Sequence, residues 1–192
     1  MNGAMNGPAN LPRRTWWIAA FVVVVAHVAI LAAMGRMPIA ALGEIRLWSM
    51  APSSQQLFDW YTPSHVIHGF LFYALLFLCA RRLPIGARFG LALLLECGWE
   101  VVENTDFVIN RYRDGTASPD YDGDTILNSV SDVGAMAVGF LLARGLPVWT
   151  TVALTVFLEL LTLWLIRDNL ALNVIMLLVP VEAIKQWQLG AS

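Results

Sequence analysis

The chain has 192 residues, 58% of them hydrophobic and 14% charged, with a net charge of −2 and a mean hydropathy of +0.63. Soluble domains carry about a quarter charged residues, so this composition excludes an ordinary soluble protein, and the lack of any basic patch excludes a nucleic-acid binder. Cys79 and Cys97 both fall inside apolar runs, which excludes a disulfide framework or a thiolate zinc site.

Residues 1–14 are rich in Asn, Gly and Pro and are expected to form a disordered cytoplasmic tail. Residues 15–192 are then a single all-α domain, a polytopic transmembrane bundle of about six spans. The first, Thr15–Met34, follows Arg13 and Arg14; it is too long for a signal-peptide core, and Met34-Gly35-Arg36 offers no small-x-small cleavage site. Ser64–Arg82 comes next, then Ala87–Asn104, Thr125–Arg144, Val148–Ile166 and Leu170–Trp187, each close to the ~20 residues that cross the hydrocarbon. The third and fourth carry Glu96, Glu100, Glu103, Asn128 and Asp132, and the sixth is interrupted by Pro180 and Glu182. Trp16, Trp17, Trp48, Trp60, Trp149 and Trp187 lie near span ends and read as interface anchors.

Lys and Arg in the connections set orientation. With the N-terminus inside, Arg13, Arg14, Arg81, Arg82, Arg88, Arg144 and Lys185 lie inside, and Arg36, Arg46, Arg111, Arg113 and Arg167 outside. The expectation is therefore N-in and C-in, in the inner membrane.

On that topology the polar residues gather at the outer leaflet. Pro63 suits the first turn of the second span, where Thr62 or Ser64 would cap it, and His65 and His68 share one face three residues apart. Glu96, Glu100 and Glu103 climb one face of the third span. Asp124, Asn128 and Asp132 follow at fourfold spacing, and Arg167, Asn169 and Asn173 open the sixth. Carboxylates near mid-membrane cost about 2.5–3.5 kcal/mol each and must face protein or water; His65, His68, Arg111, Arg113 and Arg167 are the expected partners. Asp120–Asp124 has a calcium-loop composition without that loop's spacing and reads as a solvated turn. Glu159 and Glu182 read as local pairs, and lone His27 as a buried hydrogen-bonding residue.

The strings Trp60–Phe70, Glu96–Asn104, Asn128–Asp132 and Arg167–Asn173 resemble an uncharacterised family of proteobacterial multi-pass inner-membrane proteins, a domain of unknown function. The resemblance runs from Trp16 over nearly all the chain and implies a membrane protein without implying an activity. The chain departs from it around Met37–Met50, where the resemblance leads one to expect cysteines and a histidine. A looser similarity to VanZ-like membrane proteins maps onto His68, Glu100, Asp124 and Asn128.

Two functions compete. One is an enzyme at the periplasmic leaflet acting on a lipid or lipid-linked anionic substrate. There His65, His68, Glu100, Glu103, Asn128 and Asp132 would do the chemistry, and Arg111, Arg113, Asp124, Arg167, Asn169 and Asn173 would bind. In its metal-dependent form His65, His68 and Glu100 ligate a divalent ion such as zinc. The other is a transporter, or an accessory subunit packing against a membrane-complex partner. Beside both stands a structural reading, in which the polar cluster only fixes helix packing and a partner supplies the function.

Overall fold

The computed structural model describes residues 13–40, 43–50 and 54–190, and within them the chain is all-helical. The expected disordered tail, apart from Arg13 and Arg14, lies outside the described residues. Eight helices occur among the described residues: α1 Arg13–Ala33, α2 Thr62–Cys79, α3 Ile85–Glu103, α4 Asp106–Gly115, α5 Ile126–Gly145, α6 Val148–Ile166, α7 Leu170–Leu178 and α8 Glu182–Gln188. The extended pairing among them is a single bridge between Trp48 and Phe58. Four helices, α1, α2, α5 and α6, are long and apolar enough to cross a membrane. α3 is as long but carries Arg88, Glu96, Glu100 and Glu103.

These five helices form the bundle, with α2 packed most extensively on α5 and α3 wedged among α1, α2 and α5. α2 and α5 cross where Gly69 meets Gly139. A β-carbon on Gly69 would strike the Met136 carbonyl oxygen and the Phe140 amide, and one on Gly139 would strike the Val66 carbonyl oxygen. Small residues at such crossings let helix backbones touch, which is how helices associate where lipid removes the hydrophobic incentive. On one side of the crossing the core is apolar, built from Ala20, Leu76, Ala92, Leu93, Cys97, Val133, Met136 and Phe140. On the other side it is polar.

One expected span is not a continuous helix. Leu170–Trp187 breaks at Val179–Val181 into α7 and α8. Nine residues of α7 rise about 14 Å, roughly half the hydrocarbon thickness. The chain then returns to where it started: Arg167 donates to the Trp187 carbonyl at 2.9 Å and stacks over the Trp187 ring. Pro180 supplies the break, because it cannot donate to a helical ladder, and it packs against Gly115 at the end of α4.

α4 was not anticipated by the periodicity of the sequence. It is short and polar, and Thr105 caps it by accepting from the Val108 amide. Thr125 and Asn169 cap α5 and α7 in the same way. α2 differs from expectation here: Tyr61 occupies its N-cap, neither Thr62 nor Ser64 caps it, and Pro63 lies in the first turn as expected.

Met37, Pro38 and residues 54–57 close one end of the bundle by satisfying free polar groups at the start of α5. Ile126 donates to the Met37 carbonyl, Leu127 to Pro38 and Thr125 to Ser54. Asn128 Nδ2 donates to Gln56, and Ser131 to Leu57.

Candidate functional site

The polar half of the core is assembled from three helices. His65 and His68 stand on adjacent turns at the start of α2, Glu96 and Glu100 on adjacent turns of α3, and Asp132 two turns into α5. His65 Nδ1 is 2.7 Å from Glu96 Oε1 and 3.4 Å from Glu100 Oε1, while its Nε2 turns toward Asp132 at 3.8 Å. His68 Nδ1 is 3.0 Å from Glu96 Oε2. Glu96, Glu100 and Asp132 are 0%, 1% and 4% exposed.

Behind this cluster runs a chain of hydrogen bonds that the sequence did not disclose. Ser129 Oγ donates to Glu100 Oε2 at 2.6 Å and lies 2.9 Å from His27 Nε2. A hydroxyl has one proton. When it goes to Glu100, His27 must donate from Nε2, leaving its Nδ1, which is buried without a partner, as a lone pair. His27 is thus a buried hydrogen-bonding residue, as expected, but it is tied to the cluster through Ser129. The only sequence signal was a histidine in an otherwise apolar span.

In front of the cluster opens a cavity of about 710 Å³. Its polar lining includes His65, His68, Glu103, Asp124 and Asp132; Phe72, Trp99, Leu170 and Val174 supply apolar wall, and Tyr61, Tyr112 and Tyr121 supply phenols. Among the described residues lining it there is no Lys or Arg. At the rim, burial pushes the Asp124 carboxyl up, against hydrogen bonds from Asn104 and Tyr121. Burial likewise pushes Asp59 up, against backbone amides of Tyr61 and Ser54. Burial raises the phenols of Tyr61, Tyr112 and Tyr121, so they stay protonated and act as donors.

The structure brings together His65, His68, Glu100 and Asp132, and places Glu103, Asp124 and Asn173 in the cavity wall. It does not bring the arginines there. Arg111 donates to the Leu177 and Leu178 carbonyls at the end of α7. Arg113 is taken by the Tyr121 carbonyl and the Asp122 carboxylate, and Arg167 by Trp187. Each serves backbone groups or acids left free near helix ends and turns. Asn169 caps α7 rather than facing the cavity, and Asn128 holds the 54–57 segment. Within the Asp120–Asp124 turn, Asp122 pairs with Arg113 while Asp124 is buried rather than solvated. Glu159 accepts from the Leu170 and Ala171 amides at the start of α7, and Glu182 from Gln186. Glu96, left out of the expected set, lies at the centre of the cluster.

A family model described as "Protein of unknown function (DUF2585)" matches residues 31–190. A UPF0314 protein of Paracoccus denitrificans is 54% identical over 177 residues, covering 90% of this chain and 91% of that one. UPF0314 proteins of Rhizobium johnstonii and Sinorhizobium fredii are 52% and 53% identical, over 91% and 94% of this chain and 92% and 95% of theirs. No solved structure matches. A model match over most of the length, together with relatives identical at half their positions, makes this chain a member of the DUF2585, or UPF0314, family.

Proposed function

We propose that this chain is a multi-pass inner-membrane enzyme whose His–carboxylate pocket opens to the periplasmic leaflet and carries out acid–base chemistry on an amphiphilic, lipid-type substrate. Five crossings are inferred, by α1, α2, α3, α5 and α6, with the N-terminus inside and the C-terminus outside. The support is connectivity. Arg36 after α1 reaches the Asp122 carbonyl, Asn104 after α3 reaches Asp124, and Tyr61 before α2 reaches Asp168 after α6. The termini of these helices therefore share one end, and the α7–α8 hairpin stays with it. Moving Lys185 to that side leaves equal numbers of Lys and Arg on the two faces. The orientation then rests on the short basic connections at Arg81–Arg82 and Arg144.

The observation that carries the enzyme reading is the cavity itself: a floor of imidazole and carboxylate beneath a wall of Phe72, Trp99, Leu170 and Val174. Mostly apolar pockets with a few convergent polar groups are the usual form of a small-molecule site, and an apolar wall suits an acyl or isoprenoid chain. Asp132 and Glu103 line the cavity beside His65 and are placed to take or give a proton at a hydroxyl or water. No Lys or Arg lines the floor, so a phosphate or other anionic group would need a cation already bound there.

The test is complementation of a deletion strain with correctly inserted variants. His65→Ala, His68→Ala and Glu100→Gln are expected to fail, and lipid profiling of the deletion strain should show an accumulated precursor. Full complementation by both His68→Ala and Glu100→Gln would reject the site. A second reading, a proton or cation relay, is favoured by the His27–Ser129–Glu100 chain leading from the cavity into the bundle; proton flux in proteoliposomes with no lipid phenotype would select it.

A further inference from the structure

We propose that the cluster at the base of the cavity is a binding centre for a divalent transition metal of the zinc type, with His65 Nδ1, His68 Nδ1 and Glu96 as its ligands and Glu100 Oε1 beside His65. The inference rests on the reading of this pocket as the functional site and adds the cofactor to it.

Geometry comes first. Zinc binds imidazole nitrogen and carboxylate oxygen at about 2.0–2.2 Å, which places neighbouring ligand atoms roughly 3–4 Å apart. Here His68 Nδ1 lies 3.0 Å from Glu96 Oε2 and His65 Nδ1 3.4 Å from Glu100 Oε1, while His65 Nδ1 and Glu96 Oε1 stand at the hydrogen-bonding distance of 2.7 Å. One donor atom from each of His65, His68 and Glu96 falls within 4.8 Å of the others, and the same holds for His65, Glu100 and Asp132. The donor types suit zinc and related ions rather than calcium or magnesium, which prefer oxygen alone.

Charge points the same way. Buried carboxylates need compensation, by a partner or by a metal. The arginines that could have supplied it are engaged elsewhere: Arg36 with Asp122 and Asp106, Arg111 with α7, Arg113 with Asp122, and Arg88 beside Tyr73 and Phe77. A divalent ion neutralises Glu96 and Glu100 together and leaves both histidines as neutral ligands.

An independent sign is Glu100 Oε1, which is buried and has no hydrogen-bond partner although its sister oxygen is held by Ser129. Unpaired buried oxygens are rare, and each calls for a reason. A cation held beside it, with the other oxygen oriented by Ser129, satisfies that requirement. His65 fits the same pattern: Nδ1 faces the metal position, and Nε2 turns toward Asp132. Such outer partners orient a metal's ligands.

The deciding measurement is metal content of the full chain, purified in detergent without chelators. About one equivalent of a divalent transition metal per chain is expected, with at least a tenfold loss in His68→Ala and in Glu96→Gln. Asp168→Asn, outside the cluster, should keep its metal. Should the variants fail to fold, the wild-type chain stripped by chelator and titrated with cobalt(II) gives the answer alone. Saturable visible bands at one equivalent, with a raised melting temperature, are expected. A wild-type chain that is metal-free and binds no cobalt overturns the inference, as does undiminished metal in both variants. A metal-free wild type with non-complementing His65→Ala removes the metal and leaves the pocket. Stoichiometric metal in a chain whose metal-free variants complement fully keeps the centre and removes the proposed enzymatic role.

Discussion

His27 on α1 and Ser129 on α5, 102 residues apart, meet at 2.9 Å in the interior, and Ser129 passes the contact on to Glu100. Replacing His27 by Leu leaves Ser129 without its donor, and replacing Ser129 by Ala strands both neighbours. Each change is expected to cost about 1–3 kcal/mol, the penalty for an unsatisfied buried group. Because the three residues act as one network, the double variant should cost clearly less than the two singles combined. Thermal unfolding in detergent measures this; strict additivity would show that the hydrogen bonds are independent.

The α2–α5 crossing yields a second expectation. Gly69→Ala and Gly139→Ala each place a methyl group against a partner backbone that cannot rotate away. Overpacking of this kind costs about 1–3 kcal/mol. Gly134 on the same helix has open space beside it, so Gly134→Ala should be neutral or mildly stabilising. Equal melting temperatures for Gly134→Ala and Gly139→Ala would contradict the close crossing.

Asp168 gives a pH signature. Burial raises its carboxyl from the ordinary 3.8 to about 6, against hydrogen bonds from Asn169 and Tyr61. Between those values the folded chain keeps a proton that the unfolded chain has released, so stability falls as pH rises. The contribution is fully present below 3.8 and lost as pH climbs through about 6. Asp168→Asn should flatten the melting temperature across that window relative to wild type. An unchanged slope would place the titrating group elsewhere.

Topology is directly measurable. A periplasm-dependent reporter fused after Arg82 should be inactive, and one fused at the C-terminus should be active. A C-terminal fusion that is active only in the cytoplasm would restore the sixth crossing, and a shared side for Arg81 and His65 would reverse the assignment of the pocket.

Much of this arrangement was legible because it follows from periodicity. The apolar runs located five long helices, and the spacing of Glu96 with Glu100 and of His65 with His68 fixed which side chains share a face. What periodicity does not record is how helix ends are satisfied. Arg111 reads as a partner for anions, yet the carbonyls at the end of α7 claim it; Asn169 reads as a ligand, yet α7 needs a cap. Pro180 was visible, but the return of the chain to Arg167 depends on a tertiary contact with Trp187. Glu96 is absent from the expected set because its spacing along α3 does not show that His65 and His68 reach it.

The meeting of Gly69 and Gly139 has one more consequence. His65 lies one turn from the first glycine and Asp132 two turns from the second, so their separation is fixed by main chain that has no slack. The α4–α7 side of the cavity is held by side-chain contacts, among them Tyr112 to Asn173, Arg111 to the end of α7 and Pro180 on Gly115. A bulky guest is expected to arrive through this side. A cross-link pinning α7 to α4 should shut that portal while leaving the reactive groups in register.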